Sequence, residues 1–211
     1  MEIRTYRGGA DRNLSYLVHE GGKGFVVDAS VEPTELLADA ELLGIGVQYL
    51  FVTHSHADHL TWVRPILEAT GATLVSYLAD LALPGHLFYP AGDGTEIDVG
   101  DLRVRFLHTP GHASDHLAIL AGDALFTGDL LFVGGTGRTI SPGSDNATLF
   151  RSLATRIAPL PGAVTIYPGH DYGPTPTDTL ERQRATNPFL RALDPDQFQD
   201  VMDQYEASRR G

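Results

Sequence analysis

The chain has 211 residues, 42% of them hydrophobic and 20% charged, which suits a globular protein with one sizeable core or at most two small ones. A formal net charge of −12 argues against a sequence-independent grip on DNA or RNA, and no apolar run approaches the roughly 18 to 20 residues that cross a bilayer. There is no cysteine, so disulfides, thiolate ligands and a cysteine nucleophile are all excluded, and any metal must be held by imidazole and carboxylate.

Met1-Glu2-Ile3-Arg4-Thr5 lacks the apolar stretch of a secretory signal, which makes the cytoplasm the expected location. No repeat or long linker interrupts the chain, and a single domain over 1–211 is expected. Residues 14–18 and 25–28 read as β-strands joined by a tight turn at Gly21-Gly22-Lys23-Gly24. A helix follows over 33–43. Pro33 sits near its start, Leu36, Leu37, Ala40 and Leu43 fall at helical spacing, and Gly44 ends it. A short buried strand over 48–52 leads straight into the run His54-Ser55-His56-Ala57-Asp58-His59. Beyond it, 60–69 resumes as a helix closed by Gly71, and 72–76 returns to strand. Segments 96–99 and 102–107 pair around Gly100-Asp101, and 117–120 and 124–127 pair around Gly122-Asp123. A helix over 146–157, a strand over 164–167 and a terminal helix over 195–208 complete an α/β order in which helices cover sheet faces.

Four of these strands hand a candidate ligand to the turn beyond their C-terminal end. They lead to His54, to Gly111-His112, to Gly128-Asp129 and to Gly169-His170. Loops gather on one rim of a sheet at such ends. His54, His56, Asp58 and His59 lie within six residues, which is poor core material but a suitable ligand set for zinc, iron or manganese. In an extended segment, residues two apart point the same way, so His54 and His56 can reach one ion. If the chain then turns into the helix near Leu60, Asp58 and His59 face a second position beside it. His112 follows Thr109-Pro110-Gly111, Asp129 ends an apolar strand where a buried carboxylate needs a partner, and His170 repeats the pattern of strand, glycine and ligand.

Thr53-His54-Ser55-His56-Ala57-Asp58-His59, Gly111-His112, Thr127-Gly128-Asp129 and Gly169-His170 resemble, in order and spacing, the metal motifs of the metallo-β-lactamase superfamily. The resemblance runs over about residues 13–190 and implies a four-layer αββα sandwich with metals at one edge. It also implies that His54, His56 and His112 hold one divalent ion, that Asp58, His59 and His170 hold another, and that Asp129 bridges them. Zinc is the first expectation, with iron or manganese as alternatives. Gly134-Gly135-Thr136-Gly137-Arg138-Thr139 and Asn187-Pro188-Phe189-Leu190 look like the short bacterial glyoxalase II-like hydrolases and the persulfide dioxygenases. Two departures stand out. Ile140 sits where those relatives carry an acid or an aromatic, and only about forty residues follow His170, too few for the helical C-terminal domain with which larger glyoxalase II enzymes hold glutathione.

The activity implied is hydrolysis of a thioester or ester by a metal-bound hydroxide, with Asp58 orienting the nucleophile. The absence of cysteine and of a Gly-x-Ser-x-Gly elbow agrees with this. One alternative is a mononuclear iron persulfide dioxygenase acting on glutathione persulfide, with one Fe(II) on His54, His112 and Asp129. A lactonase is a second. The expected partner is a small molecule such as a glutathione thioester or persulfide, with no nucleic acid and no membrane; a homo-oligomer is left open.

Outside the ligand set, Arg138 is the candidate anchor for an anionic substrate, against the plainer reading of an arginine that ties its loop down. Tyr172 is a candidate substrate-binding residue or a packing one. Asp28 reads as a structural acid or one supporting the ligands, His116 as a core or supporting histidine, and Trp62 as core. Arg182, Arg184 and Arg191 read as solvated helix charges. Residues 81–90, with Pro84-Gly85 and Phe88-Tyr89, are a candidate loop over the site, and His19, His86 and His108 carry no assigned role.

Overall fold

A computed structural model describes residues 1–77 and 87–208. Among these described residues, twelve strands form two six-stranded sheets. The first holds β1 (Glu2–Gly8), β2 (Asn13–Glu20), β3 (Lys23–Val27), β4 (Gly46–Phe51), β5 (Thr73–Ser76) and β6 (Phe88–Pro90), side by side in chain order. The second holds β7 (Glu96–Val99), β8 (Leu102–His108), β9 (Leu117–Ala121), β10 (Ala124–Gly128), β11 (Thr165–Pro168) and β12 (Asp178–Thr179), also side by side in chain order.

Hairpins join the antiparallel neighbours, whereas parallel neighbours need crossovers, and helices supply them for three of the parallel pairs. α1 (Thr34–Leu42) links the parallel pair β3 and β4. α2 (Ala57–Leu60) and α3 (Val63–Thr70) link β4 and β5. α4 (Asn146–Ser152), prolonged by a π-turn over Leu153–Ile157, links β10 and β11. α5 (Leu180–Thr186), α6 (Pro188–Arg191) and α7 (Pro195–Ser208) follow on the outer face of the second sheet.

Strand alternation sorts the side chains into layers. Leu14, Tyr16 and Val18 of β2 point into the core between the sheets, where Phe51 packs on Phe25 at 4.7 Å and edge-on to Phe106 at 5.1 Å. Leu17, between them, points the other way, toward Leu36 of α1 and Ile66 of α3. On β10, Ala124 and Phe126 face inward while Leu125 meets Leu149, Leu153 and Phe198 outside. Three apolar cores separate four layers, which is the αββα sandwich. Both faces of each sheet are covered, so central strands such as β2 and β10 read as continuous apolar runs.

The helix expected over 60–69 begins three residues earlier and breaks at Thr61-Trp62. Ala29, just past β3, interrupts it: its N–H donates to the His59 carbonyl and its own carbonyl accepts from Trp62 N–H, drawing both away from a continuous ladder. Strand β1 was not expected, because exposed Glu2, Arg4, Thr5 and Arg7 fall on both of its faces and mask the strand pattern. Strand β12 and helices α5 and α6 are too short to leave a periodic signal, and Pro188 separates the two helices. Arg184 is not a solvated charge, since it is half-buried and its guanidinium donates to the Leu160 carbonyl. Of the candidate loop over 81–90, residues 81–86 lie outside the described residues, as does His86, and 88–90 form β6. No helix among the described residues is long and apolar enough to cross a membrane.

Candidate metal centre

Four strands deliver their candidate ligands to one rim, as their sequence pattern implies. Past β4 the chain stays extended through Val52 and Thr53, pinned by Leu117 N–H on the Thr53 carbonyl at 2.7 Å. His54 and His56 therefore point the same way, and His54 Nε2 lies 3.1 Å from His56 Nδ1. Because α2 starts at Ala57, Asp58 and His59 occupy its first turn and swing to the other side of the cluster. His112, from the loop after β8, brings Nε2 within 3.0 Å of His56 Nδ1.

Asp129 stands at the centre. Its carboxylate lies 3.3 Å from His59 Nε2, 3.5 Å from His112 Nε2 and 3.3 Å from His170 Nε2. Asp58 Oδ2 lies 3.4 Å from His170 Nε2 and 3.7 Å from His59 Nε2. The candidate ligand atoms fall into the groups His54/His56/His112, His54/His59/Asp129 and Asp58/His59/His170, each within 4.8 Å. All seven sequence candidates are thus brought together.

The outer atoms of most of these side chains are held by partners that fix their orientation. His59 Nδ1 donates to Asp28 at 2.9 Å, His112 Nδ1 to the Arg138 carbonyl at 2.7 Å, and His170 Nδ1 to the Asp11 carbonyl at 2.9 Å. His54 Nδ1 sits 3.1 Å from the Thr53 hydroxyl, which itself donates to Asp28. Asn13 Nδ2 donates to Asp58 Oδ2 at 2.8 Å. His116 is buried with its ring 5.2 Å from that of His54 and its Nδ1 2.9 Å from the Thr109 hydroxyl, so it supports the cluster without joining a ligand group.

The inner atoms are a different matter. His59 Nε2 and Asp129 Oδ1 are buried and face the cluster, and neither finds a hydrogen-bond partner beyond a long 3.3 Å approach to the other. Leaving a buried polar atom unpaired costs about 1–3 kcal/mol, so the arrangement calls for a further group. A divalent cation among five imidazoles and two carboxylates satisfies both atoms, and the donor set suits zinc, iron or manganese. The backbone makes room for this convergence. A Cβ on Gly169 would lie 2.5 Å from Asp129 Oδ1, and one on Gly137 would lie 2.0 Å from the Asp129 carbonyl.

Burial pushes His54 and His112 below the ordinary imidazole value. Burial also opposes charge on His59 and His170, but there the carboxylates win. Asp28 and Asp129 hold His59 well up, and Asp129 and Asp58 push His170 up to about 10. The bond from His170 holds Asp58 below the usual carboxylate range; Asp129 lies well below it despite its burial, because His59 stands beside it.

A cavity of about 180 Å³ opens over the cluster, lined by His56, Asp58, His112, Asp129 and His170 and walled by Phe132, Arg138, Ile140 and Tyr172. Arg138 and Tyr172 thus both line it, and Tyr172 stacks on His170 at 4.9 Å with the rings 6° from parallel. Sequence reasoning missed Asp11 and Asn13. Asp11 sits on the turn between β1 and β2 and Asn13 is the first residue of β2, and the missed edge strand β1 concealed that this stretch reaches the rim.

A family model described as the Metallo-beta-lactamase superfamily matches residues 8–170. A hydroxyacylglutathione hydrolase from Polaromonas sp. is 33% identical over 175 residues, covering 80% of this chain and 66% of that protein. The mitochondrial persulfide dioxygenase ETHE1 of Bos taurus is 32% identical over 192 residues, covering 87% of this chain and 72% of that protein. The crystal structure of ETHE1 from Myxococcus xanthus superposes with a TM-score of 0.86 at 30% identity, covering 96% of this chain and 90% of that one. Its fold, its His/Asp centre and these likenesses agree, and the chain belongs to the metallo-β-lactamase superfamily, in the branch that holds hydroxyacylglutathione hydrolases and ETHE1 persulfide dioxygenases.

Proposed function

We propose that the chain is a metal-dependent hydrolase of thioesters or esters. The observation that carries this reading is a pair of ligand triads with no residue in common, His54/His56/His112 and Asp58/His59/His170, on either side of the buried Asp129 carboxylate. In this reading each triad holds one divalent ion and Asp129 lies between them, with zinc the first expectation. Divalent ions bound there would lower the pKa of a water toward neutrality and polarise a carbonyl.

The chain's own residues do the rest. Asp58 is 47% exposed at the cavity floor and fixed by Asn13, which suits it to orient an attacking oxygen. Arg138 offers a guanidinium to an anionic part of the substrate, and Phe132, Ile140 and Tyr172 shield the reacting carbonyl from bulk water. No protein nucleophile is required. The similarity to a hydroxyacylglutathione hydrolase makes S-lactoylglutathione the first substrate to try. Hydrolysis should stop on chelation and return with metal, and activity that survives complete metal removal would overturn the reading.

A second reading, iron-dependent persulfide oxidation, is favoured by the fit to ETHE1 over 90% of that chain. Oxygen uptake with glutathione persulfide, set against S-lactoylglutathione hydrolysis on one preparation, separates the two. One equivalent of iron with oxygen uptake supports the second reading, and two equivalents of zinc or manganese with hydrolysis support the first.

A further inference from the structure

Two oppositely charged residues line the cavity mouth, and the backbone of each is tied to a different half of the cluster. The Arg138 carbonyl accepts from His112 Nδ1 and the Asp11 carbonyl accepts from His170 Nδ1. His112 and His170 both aim Nε2 at Asp129 Oδ2, at 3.5 and 3.3 Å, so Arg138 and Asp11 reach the cavity from two sides of Asp129. These backbone bonds leave both side chains available to a substrate.

The Asp11 carboxylate does not swing freely. It accepts from the Tyr172 hydroxyl, and Tyr172 is stacked on His170. The turn carrying it is anchored too, since Asp171 N–H donates to the Arg12 carbonyl at 2.9 Å and the Arg12 guanidinium donates to the Asp171 carbonyl. The Asp171 carboxylate is neutralised by Arg7 at 2.6 Å, whereas among the described residues Asp11 has no cation within ion-pair distance. The mouth therefore presents a fixed negative charge on the His170 side and an arginine on the His112 side. The cavity between them, about 180 Å³, has room for a small acyl group whose substituents meet both residues.

We propose that Asp11 is a specificity-determining residue: held by Tyr172 at the His170 side of the mouth, it admits acyl groups that present a hydroxyl or ammonium there and turns away those that present a carboxylate. A charge-assisted hydrogen bond rewards the donor, and like-charge contact penalises the anion. The reaction itself rests on the hydrolase reading above; the charge preference of the mouth does not.

The test uses the metal-loaded full chain and Asp11→Asn, which keeps the backbone carbonyl on His170 and an acceptor for Tyr172. Two thioesters of one thiol are compared, one with a 3-aminopropanoyl and one with a malonyl group. The wild type should favour the amino substrate in kcat/KM by roughly tenfold, the scale of one unit charge at a partly screened site. In Asp11→Asn that ratio should fall to about twofold, mainly through KM, with metal content unchanged. A second arm measures binding of free 3-aminopropanoate and malonate by calorimetry, and the variant should bind malonate more tightly relative to the amino acid. If neither thioester is cleaved but the binding preference shifts, the hydrolase reading fails and the role of Asp11 stands. An unchanged binding preference, or loss of metal from the variant, overturns the proposal.

Discussion

Asp28 and His59 share a 2.9 Å hydrogen bond in which the buried imidazole donates from Nδ1 and keeps Nε2 turned to the ligand cluster. The same carboxylate accepts the Thr53 N–H at 2.8 Å and the Thr53 hydroxyl at 2.9 Å, and that hydroxyl stands 3.1 Å from His54 Nδ1. One acid therefore orients a ring on each side of the centre, directly for His59 and through Thr53 for His54.

Replacing Asp28 by Asn isolates that role. Asp28 has φ 57°, a left-handed conformation that asparagine also tolerates, so the backbone is kept while the charge and one strong acceptor are lost. Loss of such a supporting carboxylate typically weakens metal binding about 10–100-fold. Competition with a calibrated chelator should show a fall of that order for Asp28→Asn, and wild-type affinity would mean that the acid serves only the fold.

Gly169 tests how tightly the centre is packed. A Cβ there meets Asp129 Oδ1 at 2.5 Å and His59 Cε1 at 2.7 Å, and Gly169 is held in place by its N–H on the Gly128 carbonyl and its carbonyl on Leu14 N–H. Gly169→Ala should cost about 1–3 kcal/mol in stability, as overpacking does, and should lower bound metal per chain. Gly92→Ala makes the same chemical change where nothing lies within 4 Å, and should leave both unchanged. Thermal unfolding with metal analysis on the two variants reads the difference.

The candidate ligand cluster was legible in the sequence because each member follows an apolar strand and a glycine or lies in a dense histidine run, signals that depend only on nearby residues. The central strands were legible because burial on both faces makes them apolar throughout, as in β10. What escaped detection depends on distant contacts. Asn13 reaches Asp58 across 45 positions, and Asp11 meets His170 across 159. The break at Thr61-Trp62 comes from Ala29, about thirty residues earlier in the chain. No local pattern encodes such pairings; they exist only once the sheets are assembled.

Asn13 offers a sharper test of the catalytic floor. Its amide donates to Asp58 Oδ2 at 2.8 Å, and its own backbone bridges to His170. In Asn13→Ala the bridge survives but Asp58 loses a fixed donor, so its carboxylate gains freedom where the reading above needs it still. A drop in kcat of about tenfold, with KM within about twofold, is expected from a lost positioning contact. An unchanged kcat would remove Asp58 from the role of orienting the attacking oxygen.

Proton release on metal binding follows from the charges at the centre. In the metal-free protein His170 is pushed up to about 10 and His59 is held well above the ordinary value, so both carry a proton near neutral pH. An ion needs the lone pair on each Nε2 and must expel those protons, whereas Asp58 and Asp129, held low, are already ionised. Apparent metal affinity should therefore rise with pH up to about 10. The metal-free protein behaves in the opposite sense. A group whose folded value is raised stabilises fully below its ordinary 6.5 and loses that contribution as pH climbs through about 10. The melting temperature gap between loaded and metal-free protein should widen across that window. Calorimetric titration with zinc, run near neutral pH in two buffers of different protonation enthalpy, should register roughly two protons released per centre filled. Release of none would remove His59 and His170 from the ligand set.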